Sequence, residues 1–351
     1  MATSTHSQAV NINPDVFDPA AIPPAVTAFN DNLMAITKDI PNWWTVGAAK
    51  YRTMRDAGQT AFPPLTKLTS AASLDIPSRD SNRSIPCAVF HPEPTARTPI
   101  RGIFMHIHGG GWVLGHERSH DSVLQAIATT NAVVVVSVGY RCAPEHTFPA
   151  APEDCFDAAE WLIEHAEADT RLGGGGARLC FVGGESAGAH LSALVAAHLL
   201  GHADARFSGF ALRGLVLHFG CFDAGGTPSV GLFRKESPLV LDEEAVMRFR
   251  DAFLPGVRDA AGLRDPAVSP LYVDWGRYRG RLPPALFTCG TEDCLLDDTV
   301  FMSAKWQMCG GVADVVIIPG AFHGYVMVQA EGSQAEVGLA AVERFMDRYL
   351  Q

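Results

Sequence analysis

A chain of 351 residues, 47% of them hydrophobic, carries enough apolar content for one large α/β domain or two smaller ones. Its 38 acidic and 27 basic side chains give a formal charge of -11 with no basic block, which argues against nucleic acid as a partner and against docking to an anionic membrane. No apolar run approaches the roughly 18 residues of a bilayer span, and residues 1–10 lack a hydrophobic export core, so the expectation is a cytoplasmic protein with no transmembrane segment.

Taken in chain order, residues 1–65 read as a helical appendage. Val26, Phe29, Leu33 and Ile36 share one side of a predicted helix over 24–36. Trp43 and Trp44 follow, then a second predicted helix over 47–57, and Pro63 and Pro64 close the region. Strands are predicted at 85–90 (as a sheet edge), 102–107, 132–138, 179–182, 215–219, 285–289 and 315–318. The run at 132–138 is apolar and β-branched, as suits a strand covered on both faces. Helices are predicted over 121–130, 152–168, 189–202, 300–309 and 334–349. Strands alternating with helices of this length imply a mostly parallel sheet with helices on both faces.

One interval breaks the alternation. Residues 221–265 follow a strand end, hold no strong strand, and contain a predicted helix over 243–253. Loops at that sheet edge carry function in α/β enzymes. Together with residues 1–65 this segment is expected to roof the site. The division is then 1–65 and 221–265 as two cap segments, with 66–220 and 266–351 as the two parts of the core. The glycine run from Gly173 to Gly176 has no following Lys-Ser/Thr pair, so it reads as a connection rather than a phosphate loop.

The chemistry concentrates in short motifs. Gly184-Glu185-Ser186-Ala187-Gly188 joins the 179–182 strand to an alanine-rich helix. A strand, a tight G-x-S-x-G turn and a helix lift one serine from a sheet edge for nucleophilic attack. Upstream, His108-Gly109-Gly110-Gly111-Trp112 leaves the 102–107 strand, and glycines let backbone amides converge on an anion. The expected oxyanion donors are the amides of Gly109, Gly110 and Ala187, with His108 organising the loop. Downstream, Asp293 and His323 each follow a predicted strand. The order Ser186, Asp293, His323 is that of nucleophile, orienting acid and base on this scaffold.

The groups around these motifs have competing roles. Glu292, Asp297 and Asp298 flank Asp293, and the last two are expected to cap the next helix. Glu185 is expected to support a polar network, with Glu153 and Asp154 either joining it or serving as ordinary helix charges. His106 and His108 alternate on one strand face but lack a third ligand, so neither metal nor any other cofactor is expected. The eight cysteines have no metal-ligand spacing and read mostly as core thiols; Cys294 stands out as a neighbour of Asp293.

These motifs resemble the α/β-hydrolase superfamily, and within it the hormone-sensitive-lipase-like carboxylesterases. The likeness runs from about residue 80 to 350. It rests on His108 to Trp112, on Tyr140 to His146 with Phe148-Pro149-Ala150, on the serine elbow with Glu185 in place of the usual aspartate, and on Asp293-Cys294-Leu295, where cysteine replaces proline. The resemblance implies an α/β-hydrolase fold, with a mostly parallel eight-stranded sheet flanked by helices and roofed by a helical cap. It implies a serine carboxylesterase acting through an acyl-enzyme on small to medium esters, often with short acyl chains, without a cofactor. Amides, carbamates, lactones or natural-product esters are the alternative substrates of the same triad, and a non-catalytic small-molecule receptor is a more distant one. The aromatic residues Trp43, Trp44, Trp112, Phe222, Phe233 and Tyr325 are candidates for pocket walls, with packing as the alternative for each. The last strand and helix are either a homodimer edge or cover for the chain's own core.

Overall fold

A computed structural model describes residues 12–93, 99–173, 176–233, 239–330 and 333–351; Gly174 and Gly175 of the glycine run lie outside the described residues. Eight strands form one sheet: β1 (Ala72–Pro77), β2 (Ser84–Phe90), β3 (Ile103–Ile107), β4 (Val134–Val138), β5 (Leu179–Glu185), β6 (Gly214–His218), β7 (Ala285–Glu292) and β8 (Ala313–Phe322). Their order is β1-β2-β4-β3-β5-β6-β7-β8. The two pairings that involve β2 are antiparallel and the remaining five are parallel. The helices are α1 (Pro24–Thr37), α2 (Trp43–Val46), α3 (Ala48–Asp56), α4 (Asp121–Asn131), α5 (Ala150–His165), α6 (Ala187–Gly201), α7 (Ala205–Ser208), α8 (Pro228–Leu232), α9 (Glu243–Phe253), α10 (Ala260–Leu263), α11 (Leu296–Met308) and α12 (Ala335–Tyr349).

Period-2 alternation divides each central strand between two cores. Ile103, Met105 and Ile107 of β3, and Val134, Val136 and Val138 of β4, join the layer that contains α5 and α6. Phe104 and Val135 turn the other way, toward Leu124 of α4 and Phe345 of α12. The sheet is therefore covered on both faces, and β3, β4 and β5 are buried throughout. Among the described residues no helix is long and apolar enough to cross a membrane.

Two details differ from the sequence reading. The segment at 85–90 is not an edge, because β1 pairs outside it from Ala72↔Val89 to Pro77↔Ser84. Only Leu74 and Ile76 of β1 are buried, too thin an alternation to stand out from a polar stretch. Several strands also run on past their apolar runs: β5 continues through Gly183 and Gly184 to Glu185, and β8 through Gly320 to Phe322. Glycine has low strand propensity, so these extensions are set by pairing with neighbours.

Two segments roof the carboxyl end of the sheet as a helical cap. The stretch between β6 and β7 carries α8, α9 and α10, and Asp242 caps α9 by accepting the Ala245 amide at 2.8 Å. The N-terminal segment is tied down in two places. Asn30 Nδ2 of α1 donates to the Gly320 carbonyl at 2.8 Å. Arg52 of α3 donates to the Val113 and Ala143 carbonyls, both at 2.8 Å, and pairs with Glu145. The two segments meet where Trp43 stacks on Phe249 of α9, with ring centroids 5.2 Å apart.

Candidate active site

Ser186 stands at the turn from β5 into α6 with φ 56° and ψ -119°, a backbone region that non-glycine residues enter only under constraint. The constraint comes from close packing of the elbow on β3. A Cβ at Gly184 or at Gly188 would lie 1.9 Å from the Ile107 carbonyl oxygen, so both glycines are required by approach rather than by flexibility. The Ser186 amide donates to the His218 carbonyl of β6 at 2.9 Å, which fixes the turn against the next strand.

His323 leaves the end of β8, and Asp293 leaves the end of β7. The register Glu292↔Phe322 sets their backbones side by side. His323 Nδ1 lies 2.9 Å from Asp293 Oδ2 and 3.1 Å from Oδ1. A carboxylate only accepts, so Nδ1 carries the proton and Nε2 is left as an acceptor. Nε2 lies 2.9 Å from Ser186 Oγ, and takes the serine hydroxyl as its donor. Asp293 is fully buried and also accepts the Leu295 amide at 2.9 Å, so its orientation is fixed from two sides. Phe219 packs edge-on against the His323 ring at 4.9 Å.

The neighbouring carboxylates have other work. Asp298 accepts the Phe222 and Asp223 amides at 2.6 and 2.9 Å and the Thr227 hydroxyl at 2.6 Å. Asp297 accepts the Ser229 amide at 2.9 Å. Instead of capping their own helix, both anchor the segment that follows β6. Asp154 is buried and paired with Arg83 and Arg141, so it belongs neither to a helix cap nor to the network around Glu185.

The glycine loop is locked from behind. Tyr140 donates its hydroxyl to the His108 carbonyl at 2.9 Å and stacks on the His108 ring at 4.1 Å. His108 Nδ1 donates to the Gly109 carbonyl at 2.8 Å. Burial holds the His108 imidazole down to about 3, against the opposing pull of that carbonyl, so it stays neutral and positions the loop. Gly110 and Gly111 have φ of 114° and 60°, which turns the chain back on itself. Among the described residues the amides of Gly109, Gly110 and Ala187 have no backbone acceptor. Ala187 is the first residue of α6, where helical amides are unsatisfied and the helix dipole is positive.

Glu185 is buried beneath the elbow. Its Oε1 accepts from His106 Nε2 at 2.8 Å, and His106 Nδ1 meets Ser137 Oγ at 3.0 Å. Burial would push the Glu185 carboxyl up, but His106 and His120 outweigh it and hold the group well below the usual range. His106 and Glu185 thus fasten the strand that carries Ser186 to β3, and both His106 ring nitrogens are engaged there.

A cavity opens in front of Ser186, Gly109, Gly110 and His323. Trp43, Trp44 and Trp112 line it. Trp112 is anchored by stacking on Phe253 at 4.7 Å and by donating its indole N–H to His190 Nδ1 at 3.1 Å. The other three aromatic candidates do not line it. Phe222 is fully buried and packs toward Phe287 at 6.2 Å. Tyr325 is fully buried with its hydroxyl 2.7 Å from Thr288 Oγ1, and Phe233 packs against the main core. The walls that sequence reading missed are Val246 and Phe249 of α9, Leu241, Leu295, and the stretch from Thr60 to Phe62 with Arg55. The spacing of Ala245, Val246 and Phe249 on one helical face was the available signal. Cys294 is buried, and burial pushes its thiol up, so it is a core thiol beside the site rather than a nucleophile.

A family model described as alpha/beta hydrolase fold matches residues 104–327. An ethyl acetate hydrolase from Pseudomonas putida is 29% identical over 280 residues, which cover 80% of this chain and 83% of that protein. Carboxylesterase NlhH from Mycobacterium tuberculosis strain H37Rv is 30% identical over 270 residues, 76% of this chain and 80% of its own. Among solved structures, a thermostable esterase from Pseudomonas putida ECU1011 superposes with a TM-score of 0.76 at 24% identity, over 97% of this chain and 99% of that one.

Proposed function

The chain belongs to the α/β-hydrolase superfamily, in its esterase and carboxylesterase family, and from that premise we propose that it is a serine carboxylesterase of small to medium, short-chain acyl esters that works through an acyl-enzyme on Ser186. The observation that carries this reading is the continuous chain Ser186 Oγ, His323 Nε2, His323 Nδ1, Asp293, with contacts of 2.9 Å at both links. As Oγ attacks the ester carbonyl carbon, His323 Nε2 takes its proton, and Asp293 holds the imidazolium that forms. The carbonyl oxygen becomes an oxyanion facing the amides of Gly109, Gly110 and Ala187. Collapse breaks the bond to the alcohol oxygen, which leaves with the proton from His323. Water then attacks the acyl-enzyme, giving its proton to His323, and the acid is released as Oγ is reprotonated. Residues 1–65 and 221–265 are the two cap pieces that choose the substrate. The apolar walls from Trp43, Val246 and Phe249 support a small hydrophobic acyl or alcohol group.

The test is product-resolved hydrolysis across a series of acyl chain lengths, with Ser186→Ala as the blank. The expected result is a maximum at short chains and a loss of roughly 10^4-fold or more in kcat in the variant. Turnover that survives Ser186→Ala removes this mechanism.

A further inference from the structure

The cavity holds a cation that the hydrolytic cycle does not use. Arg55 lies in the last turn of α3 and lines the cavity with Tyr51, four residues earlier on the same helix face. Its guanidinium lies over the Phe62 ring, 4.9 Å from the centroid, and Nη1 donates to the Pro63 carbonyl at 2.9 Å. Phe62 packs on Gly324, the residue after His323; a Cβ there would meet the ring at 3.1 Å. The cation therefore stands on the His323 side of the cavity. Its charge acts on the Tyr51 hydroxyl and on the His120 ring, and both of those residues line the same cavity.

Arg55 contrasts with Arg52, three residues earlier. Arg52 spends its donors on two carbonyls and on Glu145, all structural partners. Among the described residues Arg55 has one hydrogen bond and no ion pair within 4.0 Å. The nearby acids do not close on it: the Asp56 charge acts on Arg55 from beyond 4.0 Å and also faces His116 at 3.5 Å, and Glu185 bonds to His106. A guanidinium carries five donors in a planar fork that matches a carboxylate. Leaving such a group partly buried without an anion costs stability that a bound carboxylate would recover.

We propose that Arg55 is a specificity-determining residue that receives a free carboxylate on the substrate, so that the enzyme takes half-esters of dicarboxylic acids or esters of hydroxy acids. This rests on Ser186-dependent ester hydrolysis as read above. The experiment compares kcat/KM for a neutral ester, ethyl butyrate, with that for monoethyl glutarate (carboxylate on the acyl side) and for acetylated glycolic acid (carboxylate on the alcohol side). In Arg55→Met the ratio of anionic to neutral ester falls roughly 10- to 100-fold for one of the two arms, and that arm tells which side of the ester meets the cation. Arg55→Lys recovers part of the ratio. In the wild-type enzyme the same ratio falls as salt is raised, a readout that needs no variant to fold. A ratio unchanged in Arg55→Met, or a wild-type ratio indifferent to salt, overturns the proposal. The parent reading is judged separately: it fails if the wild-type enzyme leaves all three esters intact or if hydrolysis of ethyl butyrate survives Ser186→Ala.

Discussion

Ser186 and His323, with Asp293 buried behind them, stand on one wall of the cavity, and Trp43, Trp44 and Phe249 on the other, and different forces hold the two walls. The first wall grows from the ends of paired strands. Its polar groups are fixed by hydrogen bonds between β3, β5, β6 and β7, as in His106 to Glu185 and the Ser186 amide to His218. The second wall is held by ring contacts, such as Trp43 on Phe249, and by the few polar ties of Arg52 and Asn30. Hydrogen bonds are directional and ring packing is adaptable. The contrast separates a wall that fixes reaction geometry from one that admits different substrates. Substitutions on the first wall should act on kcat, and those on the second on KM and selectivity.

The largest effect expected in that comparison is at Asp293. Asp293→Asn keeps the shape but offers the wrong tautomer to His323, and kcat should fall by about 10^4-fold with a small change in KM. A change confined to KM would erase the distinction between the walls.

Acid should loosen the anchor of Trp112, which stands between the two walls at the end of the glycine loop. His190 accepts from Trp112 at Nδ1 and donates from Nε2 to the Val268 carbonyl at 2.8 Å. Burial holds its pKa down to about 4, against the Val268 carbonyl. In the unfolded chain it titrates near the ordinary value of about 6.5. Between those values the unfolded state binds the extra proton, so stability present above pH ~6.5 is lost as pH falls toward about 4. Denaturant midpoints measured across that window should decline in the wild type and decline less in His190→Gln. Equal slopes would show that His190 does not carry the effect.

The smallest effect is on the second wall. Arg52→Met removes the ties from α3 to Val113, Ala143 and Glu145. Because the pair with Glu145 is half exposed, about 1 kcal/mol of stability should be lost, seen as a modest drop in Tm. KM should rise more than kcat falls. A kcat loss as large as that of Asp293→Asn would mean that the walls are mechanically one unit.

Much of the first wall is legible in the sequence because it is written in local signals. Gly184 and Gly188 bracket a serine between an apolar run and a helix, and Asp293 and His323 each follow a strand. The second wall carries weaker signals. Trp43 and Trp44 stand out by size, but Phe249 and Arg55 lie on helices whose neighbours the sequence does not name. Phe222 and Tyr325 beside the motifs suggested a pocket, yet both point into the core. Asp297 and Asp298 stand at a helix start, where caps are common, yet they hold the segment after β6.

The sequence by itself determined the alternation of strands and helices, the elbow, and the order of the chemical groups, because periodicity and turn chemistry act over a few residues. Only the folded chain shows that β1 covers β2, which aromatic rings face the cavity, and which of two arginines on one helix lacks an ion pair among the described residues. Those outcomes depend on which faces and rings meet in the folded chain, and around the cavity the partners are distant in sequence, as Gly320 meets Asn30 and Phe249 meets Trp43.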